Sequence, residues 1–157
     1  MASVVIDTLK ITDNKNKAIY TDLNLDLKLD YTREPTVNSK KTVRDITVSY
    51  DIEAVKNSIF NLFTTMPGQK ILNPVYGLNL LQFVFNGITE TGARMLGDLI
   101  FKGISKFEPR VTVKKVYIFP DIENQNYEIA LRIDVPSLNI IGVSIKGKLS
   151  DSGFYLN

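Results

Sequence analysis

The chain contains no cysteine and no histidine, and these two absences exclude many kinds of functional site. Without cysteine there is no disulfide, no thiolate nucleophile and no zinc–thiolate centre. Without histidine the chain lacks the commonest general base and metal ligand, and every arrangement that couples serine or cysteine to histidine. Asp121 and Glu123 flank a turn but lack the oxygen-rich spacing of a calcium loop, and no glycine-rich phosphate loop is present, so the sequence predicts no bound metal and no cofactor.

Excess charge and long apolar runs are also lacking. A formal net charge of +2 is too small to indicate a nucleic-acid partner. The apolar runs cover only a few residues, so we expect no membrane-spanning segment and no membrane partner. The segment Met1–Asp7 has no basic region and its apolar run is short, which does not fit a signal peptide. We expect a cytosolic protein, or one that is assembled in a cytosol.

The composition is that of an ordinary globular domain. The chain has 157 residues, of which 44% are hydrophobic and 23% are charged. A chain of this length fits one domain and buries roughly 70% of its unfolded surface. We predict a single domain over residues 1–157.

Alternating apolar residues predict two strands in the first third of the chain. Leucine recurs at every second position from Leu23 to Leu29, which is typical of a strand with one buried face. Ile46, Val48 and Tyr50 repeat this alternation, and we expect the two strands to pair. The segment Tyr31–Arg44 between them is predicted to be a loop, and an earlier break is predicted at Asp13–Lys17.

Three helices are predicted next. The first has Asp51 as its N-cap and an apolar stripe at the helical period, and it ends before Pro67-Gly68. A short buried helix lies within Leu78–Phe85 and ends at Asn86-Gly87. The second long helix covers Thr89–Phe107, and its internal glycines, Gly97 and Gly103, indicate close packing against a neighbour.

Three further strands are predicted after the last helix. The first covers Val111–Ile118, with a bulge at Lys114-Lys115 where the alternation changes phase. Tyr127–Val135 and Ile141–Ile145 are the second and third strands. The tail, Ser150–Asn157, either adds an edge segment or becomes ordered on a partner. This order predicts an α+β fold in which two long helices and one short helix pack on a mixed, mainly antiparallel sheet.

The segment Phe107–Val111 joins the last helix to the strands that follow. Pro109 has no amide proton and disfavours a helical Glu108, so the helix must end here. Glu108 and Arg110 then flank a corner whose direction is fixed by the backbone. The residues leave two interpretations open: the two side chains pair or cap the helix and serve the fold, or they form a docking point for a partner.

An active site is not indicated by the residues. Glu108 could be drawn as the acid of a glycoside hydrolase, but the nearby Arg110 lowers the pKa of a carboxyl group rather than raising it. No spacing marks a second acid, so no catalytic residue is predicted. Lys114-Lys115 with Tyr117 and Phe119 could form a basic, aromatic nucleic-acid surface, but an ordinary bulged strand is the simpler interpretation.

Three motifs in a fixed order resemble one family. They are the run Ala54–Lys70, which ends a helix in Met66-Pro67-Gly68, the run Asn73-Pro74-Val75-Tyr76-Gly77, and the corner Phe107-Glu108-Pro109-Arg110-Val111. Together they resemble the baseplate wedge proteins of contractile-tailed phages, a sheath-initiating, tail-lysozyme-like family with a relative in the type VI secretion baseplate. The resemblance covers roughly residues 18–147.

The resemblance implies a structural protein of the virion tail, not an enzyme. Family members link the inner wedge of the baseplate to the first ring of tail sheath, and sheath strands add to their C-terminal sheet. By this resemblance Glu108, Pro109 and Arg110 contact baseplate wedge proteins. The alternative is a peptidoglycan-degrading, lysozyme-like enzyme. This sequence departs from the family at two places. Gln69 and Lys70 stand where family members commonly have an acid and an arginine after Pro-Gly. Phe85-Asn86-Gly87 stands where Phe-Glu-Pro often follows the short helix.

Overall fold

The structure is a computed structural model that describes residues 18–24 and 47–156. It contains six strands and three α-helices within these ranges, and a short 3-10 helix at Pro136–Leu138. The elements are β1 (Thr21–Asn24), β2 (Thr47–Tyr50), α1 (Asp51–Thr64), α2 (Leu81–Phe85), α3 (Glu90–Phe107), β3 (Thr112–Asp121), β4 (Asn126–Val135), β5 (Ile140–Ser150) and β6 (Gly153–Leu156). The remainder of the predicted leucine strand, the Tyr31–Arg44 loop and the Asp13–Lys17 break lie outside the described residues.

Two antiparallel sheets carry the strands. β1 pairs with β2, as the sequence predicts, and β3, β4, β5 and β6 form a four-stranded sheet in chain order. The register of β3 on β4 shifts between Val113 and Lys115, which confirms the bulge. The tail forms the edge strand β6, so the first of its two predicted roles is confirmed. The α+β prediction is confirmed as well.

One core lies between the helices and one face of the four-stranded sheet. β4 alternates strictly, and its inward residues Tyr127, Ile129, Leu131, Ile133 and Val135 are all almost fully buried. They pack with the apolar stripes of α1 and α3. Gly103 of α3 is buried against Leu78, where a Cβ atom would lie 2.5 Å from Leu78 Cδ2. Leu78 is thus the close neighbour of one helical glycine.

The prediction that Asp51 caps α1 is wrong. The helix begins at Asp51 itself, whose φ of 46° is left-handed, and the cap position is held by Tyr50. The start of the helix has no side-chain cap hydrogen bond. Asp51 Oδ1 accepts hydrogen bonds from the backbone N–H groups of Ile19 at 2.9 Å and Tyr20 at 3.1 Å. Asp51 therefore ties the segment before β1 to the start of α1.

Candidate partner-binding site

The Glu-Pro-Arg corner is a tight turn between α3 and β3. The helix ends at Phe107, and Glu108 leaves the helical region with φ of −127° and ψ of 74°, as expected before proline. The N–H of Val111 donates to the carbonyl oxygen of Glu108 at 3.2 Å, which closes the turn. β3 begins only at Thr112. The predicted end of the helix is confirmed, and the chain turns once before it becomes extended.

Glu108 and Arg110 form a two-pronged ion pair across this turn. Arg110 Nε donates to Glu108 Oε1 at 2.5 Å, and Arg110 Nη2 donates to Oε2 at 2.7 Å. The side chain of Glu108 is only 4% exposed, whereas that of Arg110 is 29% exposed. Pro109, between them, is exposed. Glu108 and Arg110 therefore pair with each other, as expected if the two side chains serve the fold. Pro109 and the outer part of Arg110 face solvent.

The ion pair sets the charge state of both groups. Burial on its own would raise the pKa of the Glu108 carboxyl, but hydrogen bonds from Arg110 and Ser58, together with the charge of Arg110, outweigh it and hold the pKa below its usual value. The hydrogen bond to Glu108 is the main cause of a raised pKa for Arg110. Both groups are consequently charged at neutral pH.

Residues from distant parts of the chain surround the corner. The Arg110 guanidinium lies over the Tyr20 ring, with 5.1 Å from Cζ to the ring centroid. Asn57 Nδ2 of α1 donates to Asp22 Oδ2 at 2.9 Å. The ring of Tyr76 meets Phe107 edge-to-face, with centroids 5.4 Å apart. The corner thus joins the segment before β1, α1 and the loop after α1.

The pKa of the Tyr76 hydroxyl reflects its partial burial beside the corner. Burial is the main cause of a raised pKa for its hydroxyl, with Glu108 and Asp22 adding to it and Arg110 opposing it. Lys70 Nζ lies over the same ring, 4.1 Å from its centroid. Tyr20 and Asp22 were not singled out by sequence reasoning, because each lies more than 30 residues from the corner and carries no local signal. Asn57 and Tyr76 each lie in one of the resembling motifs, which is a signal that could have found them.

The arrangement offers little for acid catalysis. A general acid needs a raised pKa, and that of Glu108 is lowered. Within residues 18–24 and 47–156, no cluster of three or more acidic side chains is placed to hold a metal ion. Over the same ranges, no helix has the length and apolar character needed to cross a membrane.

Comparisons with known proteins identify the family. The chain matches the family described as baseplate wedge protein gp25 over residues 37–137. It is 24% identical over 122 residues to baseplate wedge protein gp25 of Enterobacteria phage T4, covering 78% of this chain and 83% of that protein.

Two solved structures have a similar fold. A chain in the baseplate of the anti-feeding prophage aligns with a TM-score of 0.55 and 27% identity, over 60% of this chain and 77% of that one. A Geobacter sulfurreducens protein named as a tail lysozyme aligns with a TM-score of 0.50 and 20% identity, over 66% of this chain and 86% of its own. At that identity the second likeness shows the fold alone. The family match covers more than half of the sequence, so the chain belongs to the gp25 family of contractile-tail baseplate wedge proteins.

Proposed function

We propose that this protein is a structural component of a contractile-tail baseplate that links the inner wedge to the first ring of tail sheath. The family match over residues 37–137 carries the wedge part of this proposal. The sheath part is supported by the geometry of the four-stranded sheet, which ends in an edge strand of suitable length. Such a protein would be assembled in the host cytoplasm and would work in the virion tail.

Strand β3 is the proposed acceptor for a sheath strand. It pairs with β4 on one side, and no described residue pairs with its other side. The bulge after Val113 lies near one end of this edge, and Pro120, which has no N–H group, lies near the other. Both limit how far an added strand could pair with β3, as in natural edge strands that resist unspecific association. The stretch Val116–Phe119 is left as a short, register-limited edge to which another chain can add through main-chain hydrogen bonds.

A groove beside β3 supplies room for the side chains of an added strand. It has a volume of about 660 Å³ and lies between α3 and β3. Gly97 and Phe101 of α3 line one wall, and Val116 and Ile118 line the other. An added strand could therefore bury alternate apolar side chains here while its backbone extends the sheet.

Adjacent proline substitutions test strand addition. Neighbouring residues of a strand direct their N–H groups to opposite sides of the strand. Of Ile118→Pro and Phe119→Pro, one therefore removes an N–H that faces β4, and the other removes an N–H that faces away from the sheet. The variant that keeps near-native thermal stability identifies the outward donor. We expect this variant to lose capture of the sheath protein from the same genome in co-expression pull-downs. Undiminished capture of the sheath protein by this stable variant would contradict strand addition at β3.

The Glu-Pro-Arg corner is the proposed contact with wedge proteins. Pro109 and the outer part of Arg110 would touch the partner, and Glu108 would hold the guanidinium in place from below. Because Arg110→Ala would leave the buried Glu108 carboxylate unpaired, it would also affect folding. Arg110→Lys and Pro109→Ala are better tests, since the first keeps a cation beside Glu108 and the second changes an exposed residue.

We expect both variants to fold and to capture the wedge protein from the same genome more weakly. Arg94→Lys, at an exposed arginine of α3, is the matched control and should capture it normally. If Arg110→Lys and Pro109→Ala both capture the wedge protein as well as the unchanged protein does, the corner serves only the fold. The lysozyme-like alternative instead predicts release of sugar from peptidoglycan by the pure protein and loss of that release in Glu108→Gln.

A further inference from the structure

The four-stranded sheet is covered by helices on one face only. Its other face presents alternate residues of β3, β4 and β5, which lie side by side in the register. Tyr117 is 45% exposed and Phe119 is 57% exposed, and both belong to the edge strand β3. We call this surface the open face and define it by Lys115, Tyr117, Phe119, Arg132, Lys146 and Lys148.

The charge on the open face is mostly of one sign. Its three central cross-strand rows hold four cationic side chains and one carboxylate, that of Glu128, whereas the whole chain has a net charge of only +2. Arg132, Lys115 and Lys146 form no ion pair with any residue in the described part of the chain. Positive charge is therefore concentrated in these rows, and Asp134, in the row beyond Arg132, is engaged by Lys114 at 3.4 Å and by the N–H of Gly142 at 2.8 Å.

Exposed aromatic rings lie next to these cations. The rings of Tyr117 and Phe119 are nearly parallel, 9° apart, with centroids separated by 6.5 Å. Tyr155 extends the same surface at the opposite edge, where it pairs with Lys148, and it is 51% exposed. Aromatic residues and arginine near the centre of a protein–protein interface often contribute most of its binding energy.

A recess lies at the centre of the open face. It has a volume of about 220 Å³ and is lined by Tyr117, Ala130, Arg132, Gly142 and Ser144. The small side chain of Ala130 and the absence of a side chain at Gly142 leave the space. The Arg132 guanidinium lies against Gly142, where a Cβ atom would be 3.5 Å from Nε. The recess thus combines a cationic fork, a hydroxyl group and an aromatic wall.

We propose that the open face binds an acidic protein segment that inserts a carboxylate side chain into this recess. The guanidinium fork of Arg132 matches a carboxylate in shape and charge, and Lys146 lies in the neighbouring row. Apolar side chains of the same segment cover Tyr117 and Phe119. This contact uses side chains of the open face and does not depend on strand addition at β3.

Glu128 favours a protein partner over a nucleic acid. It lies between Phe119 and Lys148 in one cross-strand row, where it would repel a phosphate backbone. An acidic protein segment places discrete carboxylates and can avoid this position. The aromatic residues alone would suit either partner, so the experiment has to compare the two directly.

The test uses the full-length, isotope-labelled protein and three probes. The first probe is a short peptide in which glutamate alternates with phenylalanine and serine, the second is the same peptide with lysine in place of glutamate, and the third is a single-stranded oligonucleotide of equal negative charge. We expect the acidic peptide to bind most tightly and to shift the amide signals of Tyr117, Arg132 and Lys146.

Charge variants locate the binding surface. Arg132→Ala and Lys146→Glu should each weaken binding of the acidic peptide by about tenfold or more. Lys102→Glu, at an exposed lysine of α3, makes the same charge change on the other side of the molecule and should have less than about a twofold effect. Far-UV circular dichroism confirms that each variant is folded.

Three results would overturn the proposal. One is absence of binding of the acidic peptide. Another is binding that Lys102→Glu weakens as much as Lys146→Glu does. The third is binding of the oligonucleotide as tight as that of the acidic peptide, which would assign the open face to nucleic acid.

Discussion

Glu108 is the residue whose role changes most when the structure is considered. The sequence places it beside a proline and near an arginine, which predicts a lowered pKa and an end to the helix. The structure adds that both oxygens of its buried carboxylate accept hydrogen bonds from Arg110. Glu108 is therefore a support for Arg110 and not a surface acid, and only Pro109 and the outer part of Arg110 are directly available to a partner.

Replacing Glu108 should change how stability depends on pH. A carboxyl group with a lowered pKa in the folded state stabilises the fold above its usual pKa near 4.5, and this contribution disappears as the pH falls through the folded-state value. Glu108→Gln should therefore lower the free energy of unfolding by about 2 kcal/mol at pH 7. The difference from the unchanged protein should shrink in acid, as measured by urea unfolding at both pH values.

Glu53→Gln is the matched control for this experiment. Glu53 pairs with Lys56 at 2.8 Å on the exposed side of α1, where an ion pair contributes little. We expect it to change stability only slightly at either pH. An equal loss of stability for Glu108→Gln at neutral and acidic pH would contradict a lowered pKa for Glu108.

Residue contacts across long sequence distances could not be predicted. The end of α3 follows from Pro109 alone, and the pairing of Glu108 with Arg110 was one of two expected outcomes. The ring of Tyr20 over Arg110 depends instead on how β1 and α1 are placed together. Asp51 shows the same limit, because its preference for capping was overridden by hydrogen bonds to Ile19 and Tyr20 that only the tertiary fold provides.

At the scale of elements, Gly97 and Gly103 in the interior of α3 lie in different surroundings. Gly103 is buried, and a Cβ atom there would lie 2.5 Å from Leu78 Cδ2 and 3.2 Å from Leu78 Cγ. At Gly97 the nearest atom would be Ile118 Cγ1, at an ordinary contact distance of 3.6 Å. The sequence could only flag both as unfavourable in a helix, because the difference depends on what packs against each.

Alanine at these two positions should therefore have opposite effects. Gly97→Ala should stabilise the protein by about 0.5–1 kcal/mol through helix propensity. Gly103→Ala gains the same propensity but crowds Leu78, and overpacking of about 1–3 kcal/mol should make it destabilising. Denaturant unfolding measures both changes. Leu78→Ala combined with Gly103→Ala should cost less than the sum of the two single changes, and simple additivity would contradict the proposed clash.

The edge strand β6 depends on a close approach at Gly147. A Cβ atom at this position would collide with the Phe154 ring and lie 2.7 Å from the carbonyl oxygen of Tyr155. Phe154 packs in turn against Phe63 of α1, with ring centroids 5.0 Å apart. The bare backbone at Gly147 is what allows the tail to cover this part of the core.

Gly147→Ala should displace β6 while the rest of the sheet remains intact. Loss of Phe154 burial should cost about 1.5–3 kcal/mol, and hydrogen exchange should accelerate for the amides of residues 153–156 but not for those of β4. Ser144→Ala, on the same strand but directed outward, is the control and should leave exchange unchanged. Unaltered protection of residues 153–156 in Gly147→Ala would contradict the steric role of Gly147.

At the scale of the whole molecule, one core connects all three helices to the four-stranded sheet. Its buried residues come from α1, α2, α3 and the strands β4, β5 and β6, and partly buried residues of β3 pack against them. The alternation of β4 and the stripes of α1 and α3 predicted these core faces. The separation of β1 and β2 into their own small sheet was not predicted, because local periodicity does not tell which strands become neighbours.

This shared core leads us to expect a single cooperative unfolding transition. The far-UV signal of the backbone and the near-UV signal of the tyrosines, one of which is the buried Tyr127, should change at the same temperature, and calorimetric and van't Hoff enthalpies should agree. Leu96→Ala, at a fully buried position of α3, should lower stability by about 2–5 kcal/mol and shift both signals together. Two separate transitions, or a shift of only one signal in Leu96→Ala, would contradict a single domain and would indicate that the helices and the sheet unfold as separate units.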